Sequence, residues 1–260
     1  MKKISIQTIK KKKNKQLITC LTSYSKPVAE IIDKYCDIIL VGDSVGMVLY
    51  GMKNTKKVTL STMIEHAKSV KLGAKKSLVV VDMPINTYYN RHTAYKNAKK
   101  IIKMTKCDAV KLEGGRNISG TVRYLVSKGI NVMGHVGLLP QYASSYKIKG
   151  KNINQKRNIL LDAIALSNSG AFAIVIECVV ENLAKEITNK VTVPTIGIGA
   201  SKYCDGQILV IDDLIGLSKY YPKFVKKYSN VSKIIDHCVK KYCKDVKTRR
   251  FPSTKNVYKN

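Results

Sequence analysis

The chain lacks any apolar run near the eighteen or so residues a membrane-crossing helix needs. Its longest, Ala171 to Val180, is interrupted by Glu177, so no membrane partner is expected. It lacks a C-x-x-C pair: seven cysteines, an odd number, are scattered, which suits reduced thiols better than a disulfide framework. His237, Cys238 and Cys243 are the nearest approach to a zinc pattern, and idle thiols account for them better. Tryptophan is absent, and only 17 side chains are acidic against 47 basic ones, a formal charge of +30. Clustered basic residues attract nucleic acid by releasing its counterions. Here, however, 41 of the 47 are Lys and six are Arg, the residue whose planar fork suits nucleic-acid readout. Outside Lys10 to Lys15 and the tail from Lys240 to Lys259 the lysines are dispersed, as on solvated helix faces. Nucleic-acid binding is therefore not expected. No apolar stretch with a small-residue cleavage site follows the basic segment Met1 to Lys15, so a secretory signal is not expected and a cytoplasmic site is.

What is present is an alternation of β-rich runs with amphipathic segments of helix length, the pattern of parallel βα units. Strands are predicted at Leu17–Leu21, Asp37–Val41, Ser77–Val81, Ala109–Glu113, Ile130–Gly134, Phe172–Ile176, Thr192–Ile196 and, more weakly, near Leu214. Helices are predicted at Pro27–Lys34, Thr62–Lys71, Thr93–Thr105, Ser119–Lys128, Lys156–Asn168 and Asn182–Asn189, with Gly73, Gly129 and Gly170 as C-terminal caps. Eight strands in 260 residues predict an α/β protein of the (β/α)8 TIM-barrel type, one domain spanning 1–260 with a basic N-terminal extension and a lysine-rich C-terminal tail. An open doubly wound sheet is the alternative, but no G-x-G-x-x-G follows the first strand. The tail is expected to be helical from Val231 to Lys244.

Ionisable residues fall where a barrel builds its site. Asp43 follows strand two, Asp82 ends strand three, Glu113 ends strand four, His135 ends strand five and Glu177 ends strand six. A turn or helix-cap role explains any single one. Five in succession, from so few acids, point to the catalytic face at the C-terminal ends of the strands. Alternation puts Lys111 and Glu113 on one face, projecting inward, where an ion, a charged ligand or their own salt bridge must compensate them. Asp43, Asp82 and Glu113 offer hard oxygen donors without thiolate, a set that selects magnesium over zinc. Such an ion would chelate a 2-oxo acid and stabilise its enolate.

Seven segments in order resemble the signature segments of the ketopantoate hydroxymethyltransferase family: Leu40–Met47, Val110–Gly115, Gly134–Leu138, Ile176–Val179, Ile196–Ala200, Asp205–Val210 and Pro222–Phe224. The resemblance implies a phosphoenolpyruvate/pyruvate-like barrel in which Asp43 and Asp82 bind magnesium, with Glu113 completing the shell directly or through water. It implies that Ser44 and Lys111 join Asp43 and Asp82 in binding the 2-oxo acid, that Glu177 accepts the C3 proton, and that His135 lies beside the substrate. The implied reaction adds a one-carbon unit from 5,10-methylenetetrahydrofolate to 3-methyl-2-oxobutanoate, giving 2-dehydropantoate, in a homo-oligomer, commonly a decamer. The chain departs from the family pattern at Ser25, Leu139, Tyr142 to Tyr146, Val180, Ser201 and Asp212. A magnesium-dependent lyase or mutase of the phosphoenolpyruvate type is the alternative enzyme reading.

Overall fold

The computed structural model describes residues 3–258; Met1, Lys2, Lys259 and Asn260, the outermost residues of the two basic segments, lie outside it. The chain divides into two compact units, Met1–Val210 and Ile211–Asn260. In the first, eight parallel strands close in sequence order into a barrel, the first pairing with both the second and the eighth. They are β1 (Ile18–Thr22), β2 (Ile38–Val41), β3 (Leu78–Asp82), β4 (Ala109–Glu113), β5 (Val132–Gly137), β6 (Ala173–Glu177), β7 (Thr195–Ile198) and β8 (Gly206–Leu209). The α/β barrel expected from the sequence is the fold observed.

Helices alternate with the strands: α1 (Ile6–Lys11) precedes β1, and α2 (Lys26–Ile32), α3 (Val45–Val48), α4 (Leu60–Gly73), α5 (Arg91–Thr105), α6 (Arg116–Ser127), α7 (Ile153–Asn168) and α8 (Glu181–Lys190) follow. Short polar side chains start several of them by accepting an otherwise unpaired backbone N–H: Thr59 from Thr62, Asn90 from Thr93 and Asn152 from Gln155. The second unit carries α9 (Ile211–Leu214) and α10 (Val231–Lys247), with a 3-10 turn at Thr254–Asn256. The eighth strand is thus not near Leu214, which lies in α9, but at Gly206–Leu209. Only four residues long, opened by glycine and carrying exposed Gln207, β8 has too weak an apolar pattern to stand out.

Two of the three expected cap glycines act as such. Gly129 and Gly170 have φ of 78° and 92°, and each is followed by the paired hydrogen bonds of a Schellman end: Ile130 N–H to Leu125 O with Gly129 N–H to Val126 O, and Ala171 N–H to Leu166 O with Gly170 N–H to Ser167 O. Gly73 serves a different purpose. It is the last residue of α4, and a Cβ there would stand 2.5 Å from the carbonyl oxygen of Lys26, so glycine lets α4 approach α2.

Strand alternation builds the interior in layers. Leu78 and Val80 of β3, Ala109 of β4, Met133 of β5 and Ala173 and Val175 of β6 belong to the buried central cluster. At the same inward parity, the next positions are Asp82, Lys111, His135 and Glu177. The other end of the cluster is filled from outside the sheet by Ile9 of α1, fully buried, with Ile4 and Ile6 packed against it. The basic run around Lys10 to Lys15 is therefore more than a solvated extension. Lys12 reaches Asp37 at 2.6 Å, and Asp205 accepts from Lys13 Nζ and from the N–H of Asn14, both at 2.9 Å.

Ile9→Ala should cost about 2–4 kcal/mol by removing a core side chain and leaving a cavity under the barrel. Denaturant unfolding of the purified variant checks this; a loss below about 1 kcal/mol would mean that α1 contributes little to closing the barrel.

Candidate active site

The strand register sets neighbours at the C-terminal face: Asp82 pairs with Lys111 across β3 and β4, Glu113 with His135 across β4 and β5, and Gly137 with Glu177 across β5 and β6. Lys111 Nζ donates to Asp82 Oδ1 at 2.7 Å, with both side chains almost fully buried. The sequence left open a Lys111–Glu113 salt bridge; the lysine pairs with Asp82 instead. Burial alone would discharge Lys111, but Asp82, Glu113 and Asp43 outweigh it and raise its pKa. The backbone N–H of Asp43, in the turn between β2 and α3, donates to Asp82 Oδ2 at 3.1 Å and brings the two aspartates together.

His135 lies between two carboxylates. Its Nδ1 is 3.5 Å from Glu113 Oε1 and its Nε2 is 3.3 Å from Glu177 Oε2. Both approaches are longer than ordinary hydrogen bonds and act as ion-pair contacts. Burial and Lys111 both oppose charge on the ring, yet Glu113 and Glu177 outweigh them and raise its pKa to about 9. Glu113 is held the opposite way. Burial would raise it, but His135, Lys111 and the N–H of Gln141, which donates to Oε2 at 3.1 Å, lower its pKa. The backbone beyond Glu177 turns sharply: Cys178 has φ of 49°, a left-handed conformation rare for a side-chain-bearing residue and typical of functional sites.

Ser44 stands beside Asp43, its Oγ 2.8 Å from the hydroxyl of buried Tyr24. The loop after β5 returns over the mouth, where Tyr146 OH meets the sulfur of Met47 at 3.6 Å. One buried residue at the site escaped the sequence reading. Gln141 is fully buried, and its side chain joins Asp43 to Met83 and Tyr88. Nothing in Leu138-Leu139-Pro140-Gln141 marks that glutamine as interior, because only tertiary folding carries the loop back across the barrel.

The three expected metal ligands do not all converge. Among the described residues no three His, Cys, Asp or Glu side chains are grouped to hold one ion directly. Asp43 and Asp82 adjoin, while Glu113 is drawn aside by His135 and Gln141. A cation held by Asp43 and Asp82, with Glu113 reaching it through water, fits this arrangement; direct ligation by all three does not. The electrostatics agree with a cation. Burial, then Asp82 and Glu113, push the pKa of Asp43 well above the usual carboxylate range, against weaker opposition from Lys111 and Gln141. Hard carboxylate oxygens that repel one another in a buried site are suited to a hard divalent ion.

A sequence profile described as Ketopantoate hydroxymethyltransferase matches residues 3–254. A 3-methyl-2-oxobutanoate hydroxymethyltransferase of Pelagibacter ubique is 57% identical over 248 residues, covering 95% of this chain and 96% of the relative. Another, from Phenylobacterium zucineum, is 48% identical and covers 99% and 95%. Among solved structures, phosphonopyruvate hydrolase aligns with a TM-score of 0.64 at 12% identity, covering 98% of this chain and 93% of that one. A 2,3-dimethylmalate lyase, described as a PEP mutase/isocitrate lyase superfamily member, aligns at 0.63 and 10% identity, covering 98% and 88%. These structural likenesses show a shared barrel fold.

Because the pKa of about 9 for His135 lies above the ordinary 6.5, its charge stabilises the folded state fully below pH 6.5 and stops doing so as pH rises through 9. The unfolding free energy of the metal-free protein should therefore fall across that window more steeply in the wild type than in His135→Gln. Parallel pH profiles from denaturant titrations would contradict the charged ring.

Proposed function

The chain belongs to the ketopantoate hydroxymethyltransferase family and is an enzyme, and from that premise we propose how its barrel mouth carries out the hydroxymethyl transfer to 3-methyl-2-oxobutanoate. The carrying observation is the carboxylate cluster at the mouth: among the described residues Asp43, Asp82, Glu113 and Glu177 are met by Lys111 and His135, and a divalent cation would offset the excess of carboxylates.

Asp43 and Asp82 would hold magnesium, with Glu113 contributing through water. When bound, the ion supplies a Lewis acid that stabilises negative charge developing on the 2-oxo group. Ser44 and Lys111 bind the substrate carboxylate, supported by the hydroxyl of Tyr24 beside Ser44 and by the position of Lys111 against Asp82. Glu177 accepts the C3 proton of 3-methyl-2-oxobutanoate; His135, held on its far side by Glu113, orients that carboxylate. One water adds to the methylene carbon of 5,10-methylenetetrahydrofolate and frees it from tetrahydrofolate as formaldehyde; the C3 carbanion attacks that carbon, and return of the proton from Glu177 to the new alkoxide gives 2-dehydropantoate. The loop carrying Tyr146 lies beside this chemistry, in contact with Met47.

The protein is a homo-oligomer in this reading, a decamer as the family resemblance implies. α10 supports association, since it buries none of its residues and leaves Ile234, Ile235, Val239, Tyr242 and Val246 exposed. Among the described residues no helix is long and apolar enough to cross a membrane. A cytoplasmic location completes the proposal.

Glu177→Gln should retain binding of 3-methyl-2-oxobutanoate while its C3 deuterium exchange in deuterium oxide drops by about a hundredfold or more. Calorimetry and proton NMR read the two quantities separately, and undiminished exchange would assign the base elsewhere. Asp82→Asn should weaken the magnesium dependence and turnover together in a folate-dependent transfer assay. Turnover of a 2-oxo acid with magnesium but no folate-dependent product would favour the lyase or mutase reading.

A further inference from the structure

We infer that Gln141 is a positioning residue that restricts Asp43 to binding the cation through one oxygen and so favours magnesium over larger divalent ions. This rests on the magnesium reading above. Both N–H donors of the Gln141 side-chain amide are committed, and its oxygen accepts as well. Its Nε2 donates to Asp43 Oδ2 at 2.8 Å and to the carbonyl oxygen of Met83 at 2.9 Å, while its Oε1 accepts from Tyr88 OH at 2.5 Å. Turning the amide over would set its oxygen against a carboxylate and a carbonyl, so its orientation is fixed by the partners themselves.

The consequence falls on Asp43. Its Oδ2 is held by a fixed donor, whereas Oδ1 has no protein donor among the described residues and is the oxygen left for an ion. The backbone N–H of Gln141 donates to Glu113 Oε2, so one loop position restrains carboxylates that flank the site on two sides. Magnesium accepts single oxygens in a tight octahedron, while calcium takes more oxygens at longer distance and readily binds a carboxylate through both. A carboxylate that cannot swing both oxygens toward the ion discriminates between them.

The test titrates MgCl2 and CaCl2 by calorimetry into the full chain as wild type, Gln141→Met and Tyr88→Phe, with thermal unfolding of each ion-free protein to confirm folding. Gln141→Met should raise the magnesium dissociation constant about tenfold or more and that of calcium by less than about threefold, collapsing the preference. Tyr88→Phe, which keeps Gln141 but frees its Oε1, should shift the preference the same way by a smaller factor, and it decides the matter if Gln141→Met does not fold. Unchanged magnesium affinity in both variants, or equal losses for both ions, overturns the role of Gln141 while leaving the magnesium site intact. Failure of the wild type to bind magnesium, with Asp82→Asn behaving identically, overturns the magnesium reading and this inference together.

Discussion

Everything at the mouth of this barrel depends on a two-residue alternation held in register around a closed sheet. On β3, β4, β5 and β6 the inward positions run from apolar at one end to ionisable at the other: Leu78 and Val80 to Asp82, Ala109 to Lys111 and Glu113, Met133 to His135, Ala173 and Val175 to Glu177. The apolar layers keep water out from below, and the hydrogen-bond ladder fixes the height of each charged group relative to its neighbour. A slip of one residue in any of these strands would turn its charge into the helix layer.

That geometry makes the site costly to fold without compensation. Asp43, Asp82 and Lys111 are withdrawn from water together, and Glu113 and His135 form a second pair a short way around the ring. Each pair is internally compensated, yet the sum remains negative, and the excess is felt at Asp43, whose pKa is driven upward. Glu113 shows how its neighbours are shared: the N–H of Gln141 donates to Oε2, and Oε1 faces His135 at 3.5 Å.

At the opposite end the lysine excess has a local purpose. Lys12 and Lys13 tie α1 to Asp37 and Asp205, while Lys3 and Lys71 both reach Asp108. Three scarce carboxylates just before strands thus anchor the segment that seals the barrel, while most other lysines remain in solvent. A formal charge of +30 is consequently no guide to a partner here.

The alternation of strands and helices, the inward parity of Lys111 and Glu113, and the concentration of acids and histidine at strand ends were all legible in the residues, because periodicity and position along a strand are local properties. The sequence missed the plug formed by α1 and the residues just before it, whose three isoleucines, Ile4, Ile6 and Ile9, are too few to show a pattern, and it misplaced β8, whose four residues carry little apolar signal. It also left open whether Glu113 would join Asp43 and Asp82 directly or through water. Order along the chain established which side chains share the mouth of the barrel. Which of them touch was decided only by the closed fold, since Gln141 reaches Asp43 across 98 positions and a contact of that kind is fixed by barrel closure and loop return, neither of which any local pattern encodes.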